Sequence, residues 1–139
     1  MRFAIYGAGG LGAYYGARLA AAGEEVGFIA RGSHLAAIQS NGLKVLSPLG
    51  DIHLSNPVAT SDPAEIGAVD IVIVAVKTWQ IPEIAAAIGP LIQDNTIVIP
   101  FLNGVEAADQ LAEVVGEDKV FGGLSRVFSE ISAPGVIRH

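Results

Sequence analysis

The chain has 139 residues, of which 51% are hydrophobic and 16% charged, a balance that leaves room for one domain with a real core and excludes a disordered tail. Fourteen acids against eight bases give a net charge of −6, so bulk nucleic acid is excluded as a partner, although a local basic pocket for a single phosphate remains allowed. Cysteine is absent, which removes disulfides, thiolate metal sites and cysteine nucleophiles and fits a cytoplasmic setting.

Arg2 followed by an uncharged run has the outline of a secretory leader, but glycines at 7, 9, 10, 12 and 16 would weaken any apolar helix there. No other segment reads as a membrane span. Arg2 to Tyr6 instead reads as a short strand, and Leu11, Tyr14, Tyr15, Leu19 and Ala22 then recur at helical spacing until Gly23. Val26 to Ala30 forms a second strand. A Gly32-Ser33 turn and a short helix through Leu35 and Ile38 follow, ending at Asn41-Gly42. Leu43 to Leu54 reads as a hairpin around Pro48-Leu49-Gly50, inserted between parallel units.

Val69 to Val76 is almost entirely Val, Ile and Ala, the pattern of an interior parallel strand, with Asp70 as its polar exception. Ile81, Ile84, Ala85, Ile88 and Ile92 predict the next helix, with Pro82 tolerable near its start. Thr96 to Leu102 predicts a strand, Val105 to Val115 a helix, Lys119 to Phe128 another strand, and Val136 to His139 the beginning of one more.

Gly7-Ala8-Gly9-Gly10-Leu11-Gly12 is a GxGxxG lying between the first strand and the first helix. In that context the first glycine permits a tight turn, the second admits a pyrophosphate to the backbone, and the third lets helix pack on strand. Free amides and the helix dipole would hold the phosphates. A glycine-rich turn without ligand is the alternative. Opening on this fingerprint, the alternation specifies an α/β, Rossmann-type, doubly wound, mostly parallel sheet with helices on both faces, as one domain over residues 1–139.

The second strand ends in Arg31 where an acid would read a ribose 2′-hydroxyl, and no acid follows until Asp51. A guanidinium pairs with a 2′-phosphate through two parallel donors, so the expected cofactor is NADP(H) rather than NAD(H). A solvated turn arginine is the bland alternative. Lys77 and Asn103-Gly104 close two later strands, where ligands collect in such sheets, although each alone reads as a snorkelling charge or a turn. His34, His53 and His139 are not at metal-ligand spacing and are expected in surface or turn roles. Glu24-Glu25 and Glu83 read as solvated faces, and neither a metal site nor a hydrolytic triad can be assembled.

The sequence resembles the ketopantoate reductases (2-dehydropantoate 2-reductases) over its whole length. The likeness rests on Gly7 to Gly12, Ala30-Arg31-Gly32, Val76-Lys77-Thr78-Trp79-Gln80, Leu102-Asn103-Gly104-Val105, and Gly122-Gly123 through Pro134-Gly135-Val136-Ile137-Arg138-His139. It implies NADPH-dependent reduction of 2-dehydropantoate to pantoate, on the way to pantothenate and coenzyme A. By carry-over, Gly7, Ala8, Gly9, Gly10, Leu11 and Gly12 hold the pyrophosphate and Arg31 the 2′-phosphate. Lys77, Gln80 and the backbone near Val127 lie toward the nicotinamide, and Asn103 bridges cofactor and substrate. In this family a second, helical domain supplies the catalytic lysine and a substrate-gripping carboxylate. No catalytic residue is therefore assigned within residues 1–139, and the expectation is NADPH binding with very slow or no turnover. A different NADP-linked keto- or hydroxy-acid oxidoreductase, or a non-catalytic nucleotide-binding or sensor module, are the alternatives. Apolar surface facing a helical domain or a second copy of the chain is expected to be exposed.

Overall fold

The central strand of the molecule is β1 (Arg2–Tyr6), which pairs in parallel with β2 (Glu25–Ile29) on one side and with a strand from the second half of the chain on the other. The computed structural model describes residues 1–102 and 106–139. After β1 come α1 (Gly10–Ala21), β2, α2 (Gly32–Asn41), β3 (Leu43–Leu46), β4 (Ile52–Leu54), β5 (Val58–Thr60) and α3 (Pro63–Ile66). They are followed by β6 (Ile71–Val74), α4 (Ile81–Ala87), β7 (Ile97–Pro100), α5 (Glu106–Val115), β8 (Glu130–Ala133) and β9 (Val136–Arg138). The main sheet has the order β5-β2-β1-β6-β7, and all four pairings are parallel. Counting only its own strands, that is the 3-2-1-4-5 order of a doubly wound sheet, with the reversal of direction between β1 and β6.

Burial on both faces explains why these strands carry so little polar alternation. Phe3, Ile5, Phe28 and Ile73 point into a core shared with α1, α2 and the hairpin, whereas Ala4, Ile29, Val72 and Val74 point into a core shared with α4 and α5. Helix α1 lies close enough to the sheet that a Cβ on Gly16 would collide with the Phe28 ring and Ile5. Its end is set by Gly23, whose φ of +98° is costly for any residue with a side chain.

The structure corrects the sequence expectations at one place and adds to them at two. Lys119 to Phe128 is not a strand: Glu117–Lys119 is a 3-10 turn, Val120 makes one isolated bridge to Val98, and residues 121–129 have no regular structure. Gly122-Gly123 explains part of this, because a Cβ on Gly123 would overlap Ile99 and Phe101 where the chain crosses β7. Val136 to His139 does hold the expected strand, β9, but it lies outside the main sheet. Instead β9 pairs in parallel with β3 and antiparallel with β8, forming a second sheet of order β4-β3-β9-β8. The chain is therefore an alternating unit with a small mixed sheet added. Finally, β5, α3 and β8 are only three or four residues each, too short to leave a sustained period in the sequence.

Candidate functional site

A cleft of about 710 Å3 opens at the carboxyl edge of the main sheet, over the point where strand order reverses between β1 and β6. That is the size range of a pocket for a small organic ligand and the position where open α/β sheets place one. Its floor is the glycine loop. Gly7 has φ +99°, and a Cβ there would strike Ala75 and Val76 at the end of β6, so the turn needs glycine for both conformation and space. The amides of Gly7 and Ala8 donate to the Ile29 carbonyl at 3.2 and 3.0 Å, tying the loop to β2. The first bond of α1 runs from Ala13 N–H to Gly9 O, which leaves Gly10, Leu11 and Gly12 amides without intrahelical partners. Among the described residues, nothing lies within 4 Å of a Cβ placed on Gly9, whereas a Cβ on Gly12 would overlap Gly7 O and press on Ile5. The two glycines thus play separate parts: Gly9 leaves open space on the cleft side, and Gly12 lets helix meet strand.

The cleft brings together Gly7, Ala8, Gly9, Gly10, Leu11, Arg31, Lys77, Gln80 and Val127. Gly12 is buried beneath it, and Asn103 lies outside the described residues. Arg31 leads into α2 with its side chain exposed, and its Nη1 lies 3.6 Å from Glu83 Oε1 in the first turn of α4. Lys77 follows β6 with its ammonium at the surface and, among the described residues, in no salt bridge. Gln80 Oε1 accepts the Lys77 amide at 2.9 Å and so closes the 3-10 turn Thr78–Gln80 that forms this wall. Val127 belongs to the irregular 121–129 segment, which is pinned to α1 by Ser129 Oγ donating to Gly10 O at 2.8 Å and by Tyr15 and Ser125 hydroxyls 2.9 Å apart.

Three side chains lining the cleft correct or extend the sequence expectations. His34 is not a plain surface histidine: it is part-buried and bonded through both ring nitrogens. Glu83 is exposed, but it faces Arg31 rather than solvent alone. Glu24 and Glu25 likewise pair, with the Met1 amino group at 2.6 Å and Arg2 Nε at 3.2 Å. Tyr6 ends β1 inside the cleft; burial, with Glu83 adding to it and Arg31 opposing, holds its phenol above the ordinary value. A usable signal for His34 and Glu83 was their place in the first turns of helices that follow strands of the main sheet. Among the described residues, no group of three or more His, Asp or Glu side chains could hold a metal ion, and no helix is long and apolar enough to cross a membrane.

Fold order, glycine loop and cleft define a Rossmann-type domain with its ligand edge at the β1–β6 switch point. The family model described as ketopantoate reductase PanE/ApbA matches residues 3–139. The chain belongs to the ketopantoate reductase family, a family of oxidoreductases. It is 34% identical over 138 residues to 2-dehydropantoate 2-reductase of Nostoc sp., covering 99% of this chain and 43% of that protein. The crystal structure of 2-dehydropantoate 2-reductase from Geobacter metallireducens superposes with a TM-score of 0.94 at 38% identity, covering 100% of this chain and 46% of the other. A ternary structure of D-mandelate dehydrogenase with NADH and anilino(oxo)acetate superposes at 0.88 with 26% identity, covering 99% and 45%. The chain therefore spans a little under half the length of these relatives.

Proposed function

We propose that this chain is the NADPH-binding part of an enzyme that reduces 2-dehydropantoate to pantoate in the cytoplasm. The observation that carries the proposal is the cleft itself: Gly10 and Leu11, whose amides have no intrahelical partner, the open space over Gly9, and Arg31 just past β2 share one surface. These groups fit a dinucleotide laid across the switch point, with its pyrophosphate on the α1 amides and its adenosine ribose toward Arg31. The bound cofactor would supply a hydride to a ketone. The protein's own contribution is positioning, with Lys77, Gln80 and Val127 shaping the far wall and Asn103 proposed to bridge cofactor and substrate. No residue of this chain is assigned to the proton transfer, and slow or absent turnover is expected for residues 1–139 alone.

Fluorescence titration of NADPH and NADH against the purified chain and Arg31→Ala tests the proposal. A charge-assisted contact of about 1.5–3 kcal/mol implies roughly ten- to a hundredfold loss of NADPH affinity with NADH little changed. Equal loss for both would sink the 2′-phosphate assignment. A second reading, an oxidoreductase for another 2-keto or 2-hydroxy acid, has support from the likeness to D-mandelate dehydrogenase. Substrate screening of the enzyme carrying its complete substrate-binding part separates the two.

A further inference from the structure

Arg31 and Glu83 form the only ion pair between two cleft-lining residues among the described residues. They come from elements that the chain brings together only on folding: Arg31 lies just past β2 and caps α2, and Glu83 stands in the first turn of α4, after β6. Their contact is long and single, Nη1 to Oε1 at 3.6 Å, with side chains 67% and 71% exposed. A guanidinium carries five donors in a planar fork, so one arm turned toward a carboxylate leaves the others free. The pair is therefore weak enough to rearrange and close enough to matter. On the dinucleotide reading above, the ribose 2′ position falls beside this pair. We propose that Glu83 sets the cofactor preference of this domain. Its carboxylate competes for the Arg31 guanidinium and places a negative charge beside the 2′-phosphate site, while a free 2′-hydroxyl can donate to it. Among the described residues lining the cleft, the other charged or titratable groups are Tyr6, His34 and Lys77; Asp62 lies near enough to act on Tyr6, but its carboxylate caps α3 and does not line the cleft. The consequence is a domain that prefers NADPH by less than Arg31 alone would dictate and that retains usable affinity for NADH.

The test is a double-mutant cycle on NADPH and NADH dissociation constants, using the wild-type chain, Glu83→Gln, Arg31→Ala and the double variant, with circular dichroism to confirm the fold. Glu83→Gln should tighten NADPH by roughly two- to fivefold and leave NADH unchanged or weaker, and this gain should shrink markedly once Arg31 is gone. An unchanged NADPH-to-NADH ratio in Glu83→Gln overturns the inference while leaving the dinucleotide site intact. The full gain persisting in the double variant overturns competition for the guanidinium. Failure of the wild-type chain to bind either dinucleotide overturns this inference together with the proposed function.

Discussion

His34 Nε2 lies 2.6 Å from the carbonyl oxygen of Ala8, so a side chain from α2 holds the glycine loop from outside. On its other edge Nδ1 accepts the Gly135 amide at 3.0 Å, which assigns the proton to Nε2 and makes the ring a donor to Ala8. One imidazole thus ties the loop after β1 to the β8–β9 turn of the second sheet. His34→Ala leaves a carbonyl and an amide unpaired in a part-buried setting and should cost about 1–3 kcal/mol in urea unfolding. It should also weaken NADPH binding, because the loop loses a fixed partner. Unchanged stability would show that water replaces both bonds.

Gly9 and Gly12 should respond oppositely to the same added methyl group. Gly12→Ala places a Cβ on Gly7 O, a backbone atom that cannot swing aside, and should cost at least about 2–3 kcal/mol of stability. Gly9 has φ −74° and open space around a built Cβ, so Gly9→Ala should fold within about 1 kcal/mol of the parent while binding NADPH more weakly. Thermal unfolding beside a cofactor titration checks both. Equal destabilisation of the two variants would contradict the division of labour.

Tyr6 gives the fold an alkaline sensitivity. Burial and Glu83 raise its phenol above the ordinary 10.0, with Arg31 opposing. The unfolded chain then ionises first as pH rises, so this contribution is fully present below pH 10.0 and is lost as pH climbs through the raised folded value. Tyrosinate absorbance should lose a late-titrating component in Tyr6→Phe. A titration indistinguishable between the two proteins would refute the shift.

Two phenylalanines mark the contrast between core and open surface. Phe28 is fully buried against Gly16 of α1, and Phe28→Ala should cost about 3–5 kcal/mol. Phe128 is 95% exposed in the irregular segment beside the cleft, and Phe128→Ser should change stability by less than about 0.5 kcal/mol. Chemical denaturation of both variants measures the difference directly.

Whatever short-range patterns encode is readable from neighbouring residues alone. The run from Arg2 through Gly12 into α1 is contiguous, so strand, tight turn and helix start are all written in neighbouring residues. The apolar runs of β2 and β6 identify interior parallel strands because burial on both faces removes alternation. Arg31 and Lys77 are legible for the same reason, since strand ends mark the ligand edge. The second sheet, in which β9 finds β3 across most of the chain, emerges only on packing. Packing also sets the partners of His34, whose bond to Gly135 spans 101 residues, and the hold of Ser129 on Gly10, which spans 119. Glu83 looks like any solvated acid until α4 carries it to Arg31. Periodicity records which face of an element is apolar, but pairings between distant polar side chains have no local period and arise only when packing sets the elements side by side.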